Sequence, residues 1–246
     1  MGGLTEQIFG VSTGFIRYSA EHIIPIAIFI VATMFWIARM RTKPEKQRHR
    51  SAFYFSLVLA VSIVISTLIK VLRGEFTWKE DLPFHLCNIL ALLFPFALKY
   101  NRRWFYGVLY FWVIVGTFQA ILTPDLKERF PHFIFFRYWL VHCGLVSIVL
   151  YGIVCLSWKI RAKDIVNAIL GANVYMVFSF IVNYFSGGNY FFTMHKPESA
   201  SLLDHIGPWP WYLLSGQLVM FVLFCLAYVP ILIYKMRQKE VSQLGF

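Results

Sequence analysis

Charged residues are scarce in this chain. Asp, Glu, Lys and Arg make up 14% of its 246 residues, whereas 59% are hydrophobic and 19% are aromatic. Soluble domains usually carry about a quarter of charged residues, so the composition excludes an ordinary soluble enzyme. A membrane-spanning helix needs about 20 mostly apolar residues, because lipid offers no partner for backbone N–H and C=O groups. The lipid bilayer is therefore the predicted environment of this chain.

Cysteine motifs and metal motifs are also lacking. The four cysteines form no CxxC pair, which excludes a disulfide framework or a zinc ribbon as the basis of the fold. There is no H-E-x-x-H run, and no cofactor and no metal are predicted. A metal site remains a weaker alternative with two sets of ligands: His85, Cys87 and His142, or His132, His195 and His205 with Asp204.

Seven apolar stretches are long enough, or nearly long enough, to cross a bilayer. The third is the shortest and contains Pro95, so we expect it to be tilted, kinked or partly re-entrant. The connection at 186–210 mixes aromatic and turn-forming residues, which is typical of either an ordered interfacial lid or an aromatic belt. The seven stretches are 22–40, 52–72, 84–98, 104–122, 136–156, 165–185 and 211–234.

The predicted fold is an all-α, polytopic membrane helix bundle of about seven transmembrane helices, with residues 1–246 forming a single integral membrane domain. Lys and Arg are concentrated in the first, third and fifth loops and in the C-terminal tail. Basic residues favour the cytoplasmic side, which places the N-terminus outside, the C-terminus in the cytoplasm and the protein in the cell membrane. The net charge of +11 then reflects attraction to anionic lipid headgroups, and no nucleic-acid partner is predicted. The sequence does not indicate an oligomeric state.

Polar residues cluster where the third span begins, in the run Pro83-Phe84-His85-Leu86-Cys87-Asn88. Polar groups inside spans are costly, which makes them candidates for function. On a regular helix His85 and Asn88 share one face, and Cys87 points about 200° away from His85. His85 is therefore not the obvious base for Cys87 if this segment is a regular helix.

The fifth span carries a second polar group, formed by Arg137, Tyr138, His142 and Cys143. Tyr138 and His142 are four residues apart, so we expect the phenol to orient the imidazole. Cys87 and His142 lie roughly 5 Å and 9 Å below the same surface at the helical rise of 1.5 Å per residue. Arg137 is expected to snorkel to the headgroups or to hold a lipid phosphate.

A thiol and an imidazole at similar depth are the groups needed for acyl transfer. The imidazole takes the thiol proton, the thiolate attacks a carbonyl, and a thioester forms. The plainer interpretation is structural, since cysteine often fills space in helices and a single histidine in a membrane often bonds a neighbouring helix.

Four longer runs are characteristic: DLPFHLCNILALLFPFAL (81–98), GTFQAILTPDL (116–126), FPHFIFFRYWLVHCGLV (130–146), and GGNYFFTMHKP with LLDHIGPWPWY. In these runs the chain resembles the YwaF-type integral membrane proteins, from about residue 50 to 230. That family includes an animal transmembrane acyltransferase that moves polyunsaturated acyl chains between phospholipids, and it is distantly similar to androgen-induced membrane lipid hydrolases. The resemblance implies a covalent acyl-enzyme on Cys87 with His142 as its base.

The predicted function is a membrane-embedded acyltransferase that acts on phospholipid acyl chains through a Cys87 thioester with His142 as base. Its substrate-binding residues are His85, Asn88, Tyr138 and Arg137, and Asn88 or His85 is expected to donate to the oxyanion. A hydrolase results if water accepts the acyl group. The alternative is a multi-span binding protein or transporter for a lipid or small molecule, without covalent chemistry.

Overall fold

The computed structural model of the protein describes residues 3–197 and 201–243, without side chains for 238–243. All regular secondary structure in these residues is helical, which confirms the all-α prediction. Residues Arg103–Leu122 form one apolar helix composed of α5, a π-helical turn and α6. The elements are α1 (Leu4–Phe9), α2 (Ala20–Met40), α3 (Glu45–Leu72), α4 (Leu86–Tyr100), α5 (Arg103–Phe111), the π-helix (Trp112–Thr117), α6 (Phe118–Leu122), α7 (Phe133–Cys155), α8 (Lys163–Ser186), 3₁₀ turns at Tyr190–Phe192 and Leu202–His205, and α9 (Trp211–Gln243).

Among the described residues, six helices are long and apolar enough to cross a membrane, and α4 is a shorter apolar helix. This arrangement confirms a polytopic membrane helix bundle. The 15 residues of α4 span about 22 Å at the α-helical rise, less than the roughly 30 Å of a bilayer hydrocarbon core. Like the other spans, α4 is continuous, and it runs through Pro95.

Some helices extend beyond the apolar stretches that were predicted, because polar residues continue them. The helix α3 begins at Glu45 rather than near residue 52, and α9 continues past residue 234 to Gln243. Hydropathy marks the part of a helix that contacts lipid, whereas charged turns outside the lipid can remain helical. The helix α4 begins at Leu86 rather than residue 84, because His85 is its extended N-cap with ψ 144°.

The helix α7 lies at the centre of the bundle. It contacts α2, α3, α4, α6 and the π-helix, and it is the most buried of the long spans, whereas α2 and α9 expose most of their apolar side chains. Small residues allow the close approach of helices. A Cβ at Gly144 would lie 2.7 Å from Leu59 Cδ2 on α3, so Gly144 permits the α3–α7 contact.

A buried ion pair joins α5 and α8 at the end of the bundle opposite the start of α4. The Asp164 side chain is fully buried and accepts hydrogen bonds from Arg103 Nη1 and Nη2, at 3.0 Å and 2.7 Å, and from the Arg161 backbone N–H at 2.8 Å. A Cβ at Gly107 would lie 2.4 Å from Asp164 Cγ, so Gly107 makes room for the carboxylate. Two charged groups thus tie two spans together.

We expect Arg103→Met to destabilise the protein. The change leaves the Asp164 carboxylate buried with only the Arg161 N–H as its partner, and breaking a buried pair in this way costs about 3–5 kcal/mol. The measurement is the thermal unfolding midpoint in detergent, followed by tryptophan fluorescence. Arg102→Met, at the exposed neighbouring position, is the control and should unfold like the wild type. Equal midpoints for the two variants would contradict the prediction.

Candidate functional site

Several helix ends meet where α4 and α7 begin. The first turn of α4 contacts the π-helix and α7, and α7 also contacts α6 and the π-helix. The contacting helices α4 and α7 carry the polar residues of the third and fifth predicted spans. We call this cluster of His85, Cys87, Asn88, Arg137 and His142 the polar site.

Cys87 lies in the first turn of α4 and is half-buried. Its Sγ is 3.7 Å from Oγ1 of Thr117, a side chain that is fully buried at the end of the π-helix. Short π-helical turns often occur at functional sites. The sequence analysis did not identify Thr117, because a π-helical turn leaves no mark in hydropathy. Its only signal was a hydroxyl within an apolar span.

The imidazole of His142 has a defined orientation. Its Nδ1 lies 2.7 Å from the backbone carbonyl oxygen of Tyr138. A carbonyl oxygen only accepts, so Nδ1 carries the hydrogen and donates it, and Nε2 of the neutral ring is left as a proton acceptor. A neutral imidazole with one free nitrogen can act as a general base, and in His142 that nitrogen is Nε2.

Tyr138 contacts His142 as predicted, but its hydroxyl plays no part in that contact. The two rings have centroids 4.0 Å apart, and the hydrogen bond to the imidazole comes from the Tyr138 backbone. The phenol hydroxyl instead donates to the carbonyl of Ala120 at 2.7 Å, because the ring crosses from α7 to α6. The Tyr138 side chain therefore fixes the α6–α7 contact and supports one face of the imidazole.

Arg137 is a half-buried cation in a membrane span. Its Nε is buried without a hydrogen-bond partner, and no ion pair to it occurs within residues 3–197 and 201–243. The guanidinium lies within electrostatic range of Cys87 and His142. Since unpaired charge is costly in a membrane, Arg137 is suited to an anionic group of a ligand.

Cys87 and His142 are not hydrogen-bonded to each other in the described structure. The thiol has Thr117 as its partner, and the imidazole has the Tyr138 carbonyl. Catalytic hydrogen bonds are often long before substrate is bound. The thiol and the imidazole therefore lie on contacting helices, α4 and α7. Arg137 is within electrostatic range of both groups.

The prediction that His85 and Asn88 share one face assumed a regular helix. His85 is the extended N-cap of α4, so the helical spacing used in that prediction does not apply to it. Its ring packs on Tyr190, with centroids 4.9 Å apart. Neither side chain makes a hydrogen bond to the part of the chain that the structure describes, so the Asn88 amide remains available to a ligand.

The segment around Tyr190 is held in place beside the polar site. The Tyr190 hydroxyl donates to the Trp78 carbonyl at 2.9 Å and accepts from the Leu82 N–H at 3.0 Å. The Asn183 amide donates to the Tyr190 carbonyl at 2.9 Å and accepts from its N–H at 2.7 Å. These bonds order the segment around Tyr190, which either of the two predicted roles allows. Residues 198–200 of the same connection lie outside the described structure.

Neither predicted set of metal ligands comes together. Among the described residues, no group of three or more His, Cys, Asp or Glu side chains is arranged to hold a metal ion. His132 instead accepts a hydrogen bond from the Ile134 N–H at the start of α7, and His195 Nδ1 lies 3.0 Å from the Asn189 amide nitrogen. His132 and His195 of the second set therefore have local structural partners.

These helices and the polar site define a polytopic α-helical membrane protein with reactive and charged side chains near one end of its bundle. The chain belongs to the TMEM164 family, which matches residues 17–228. It is 24% identical over 216 residues to a protein of Treponema pallidum (strain Nichols) described as uncharacterized, covering 88% of this chain and 90% of that protein. No solved structure matches the chain. The predictions of an integral membrane family and of a multi-pass membrane location are confirmed at this level.

Proposed function

We propose that this protein is a membrane-embedded acyltransferase that transfers phospholipid acyl chains through a thioester on Cys87. The observation that supports this most directly is the His142 tautomer. Because Nδ1 is held by the Tyr138 carbonyl at 2.7 Å, the free Nε2 can accept a proton. Helix α4, which contacts the His142 helix α7, carries the half-buried Cys87 thiol in its first turn.

The reaction has two halves that share one histidine. In the first half, His142 Nε2 takes the Cys87 proton, and the sulfur attacks the ester carbonyl carbon of a phospholipid. The carbon–oxygen bond to the glycerol then breaks, and the lysolipid oxygen takes the proton from the imidazolium. In the second half, the hydroxyl of another lysolipid gives its proton to His142 and attacks the thioester. The thiolate that leaves is reprotonated, so the enzyme is restored.

Negative charge on the carbonyl oxygen and on the sulfur requires nearby donors. Cys87 lies at the N-terminus of α4, where the first backbone N–H groups have no partner within the helix and the helix dipole favours negative charge. The Asn88 amide and the His85 ring add side-chain donors at the same helix end. An oxyanion donor typically contributes about 3 kcal/mol to the transition state.

Arg137 provides the proposed contact for the lipid headgroup. Its buried, unpartnered Nε belongs to a guanidinium that can bind a phosphate with two parallel hydrogen bonds. A phospholipid entering from the side would then place its phosphate at Arg137 and its ester near Cys87. Tyr138, His85 and Asn88 complete the proposed substrate contacts.

A phospholipid-binding protein or transporter is the second candidate function. It is favoured by the separate hydrogen bonds of Cys87 and His142, which join these residues to Thr117 and Tyr138 rather than to each other. A site that only binds lipid needs the unpaired Arg137 and apolar surroundings but no thiol–imidazole contact.

The test is intact-protein mass spectrometry after reconstitution into phosphatidylcholine vesicles. An acyltransferase should gain the mass of one acyl group, and neutral hydroxylamine should remove it because it cleaves thioesters. Isotope-labelled lysophosphatidylcholine should then be converted to diacyl lipid, whereas release of free fatty acid alone indicates a hydrolase. Retention of noncovalent lipid with no mass gain in any vesicle composition would favour the binding protein or transporter.

A further inference from the structure

An apolar cavity of about 160 Å³ lies between α4, the π-helix, α8 and α9. Its lining includes one residue with a hydroxyl, Tyr175, and that hydroxyl donates to the Phe84 carbonyl. The cavity therefore offers a ligand almost only hydrocarbon contacts. The lining residues are Leu86, Trp112, Val115, Gly116, Ala172, Tyr175, Phe191, Met220 and Phe224.

The cavity is lined by the residues that precede Cys87 and Thr117 in the sequence. Leu86 precedes Cys87 on α4, and Gly116 precedes Thr117 on the π-helix, so the cavity and the Cys87–Thr117 contact are formed by the same two segments. A Cβ at Gly116 would lie 2.9 Å from Leu86 Cδ2, so glycine allows these segments to approach. Phe191, next to Tyr190, also lines the cavity and packs on Tyr175, with ring centroids 5.0 Å apart.

We propose that this cavity binds the acyl-chain segment next to the ester carbonyl and thereby selects which acyl chains react. The assignment rests on the proposed function for its link to Cys87. A volume of about 150 Å³ accepts one benzene ring, so this half-open cavity has room for about six chain carbons. Only hydrocarbon satisfies such a lining without leaving polar groups unpaired, and acyl chains of the bilayer are the hydrocarbon that surrounds the protein.

The cavity is tested by photo-crosslinking in the Cys87→Ala protein, which cannot form the thioester. The probe is a phosphatidylcholine with a diazirine within about six carbons of the ester carbonyl. We expect it to label peptides that contain Phe191 or Phe224, whereas a probe with the diazirine at the methyl end should not label them. Met220→Trp places an indole in the cavity and should lower labelling about tenfold.

Leu218→Trp is the matched control. Leu218 is two residues away on α9 and is 68% exposed, so its indole enters lipid and labelling should be unchanged. Ala172→Leu fills the cavity from α8 and should reduce labelling if Met220→Trp does not fold. Equal labelling of lipid-facing α9 residues in every variant, with no label on Phe191 or Phe224, would overturn the cavity assignment.

The cavity and the proposed function can fail separately. A hydroxylamine-sensitive adduct on wild-type protein without cavity crosslinks would retain the acyltransferase and reject the cavity as its chain site. Cavity crosslinks without any adduct would show a bound acyl chain and reject the thioester chemistry. When both occur, Met220→Trp should also shift the acyl chains found on Cys87 away from those preferred by the wild type.

Discussion

Replacing Cys87 with alanine should abolish the hydroxylamine-sensitive acyl adduct, whereas replacing Cys143 with alanine should leave it in place. Cys87 is half-buried at the start of α4, near Thr117 and within electrostatic range of Arg137. Alanine has no sulfur to form a thioester, so the expected loss is complete. Intact-protein mass spectrometry before and after hydroxylamine provides the measurement.

Cys143 is a demanding control because it directly follows His142 in sequence. Its side chain is only 5% exposed and packs in a separate apolar cluster with Ile121, Phe135 and Trp139. Successive helical residues point about 100° apart, so the thiol does not share the face of the imidazole. An adduct that survives Cys87→Ala and disappears in Cys143→Ala would assign the nucleophile to Cys143, and labelling of both variants would indicate unspecific acylation.

The spans could be predicted from the sequence because the requirement for them is local. Any helix that crosses lipid needs a long apolar run, and each of the seven predicted runs falls on a helix in the structure. The start of α3 at Glu45 was missed since charged turns outside the lipid carry no hydropathy signal. The short α4 was correctly identified as the unusual span.

The candidate site could be predicted only in part. Cys87 and His142 stood out as reactive groups within apolar runs, but their partners depend on packing between helices. Thr117 reaches Cys87 across 30 positions of sequence, and Arg103 reaches Asp164 across 61. No short-range pattern reports such pairs, so the sequence could indicate which residues are reactive but not what orients them.

Two charged groups with buried polar atoms, Asp164 and Arg137, differ in how far the fold satisfies their hydrogen bonds. At the α5–α8 end, the buried Asp164 carboxylate has three donors, two from Arg103 and one from Arg161. At the polar site, Arg137 has a buried Nε without a partner. Satisfied buried charges stabilise a fold, whereas unsatisfied groups cost free energy unless a ligand completes them. Arg137 is therefore a position where a ligand can add hydrogen bonds, and Arg48 of α3 likewise has a buried Nε without a partner.

The second large effect is expected for His142→Gln, which should slow formation of the Cys87 adduct by about 10²- to 10⁴-fold, the usual contribution of a general base. Glutamine is similar in size but cannot take up the thiol proton. The rate of adduct formation in vesicles of fixed composition is the measurement. His205→Gln, at an exposed histidine of the 3₁₀ turn Leu202–His205, is the control and should react like the wild type.

A loss caused by misfolding can be separated from loss of the base. If only the base is lost, His142→Gln keeps the thermal unfolding midpoint and the retained phospholipid of the wild type. If His142→Gln reacts at the wild-type rate while His85→Gln does not, the base is His85, whose ring lies at the N-cap of α4 against Tyr190. The same thioester would then be activated from within its own helix end, and the Tyr138–His142 hydrogen bond would be structural.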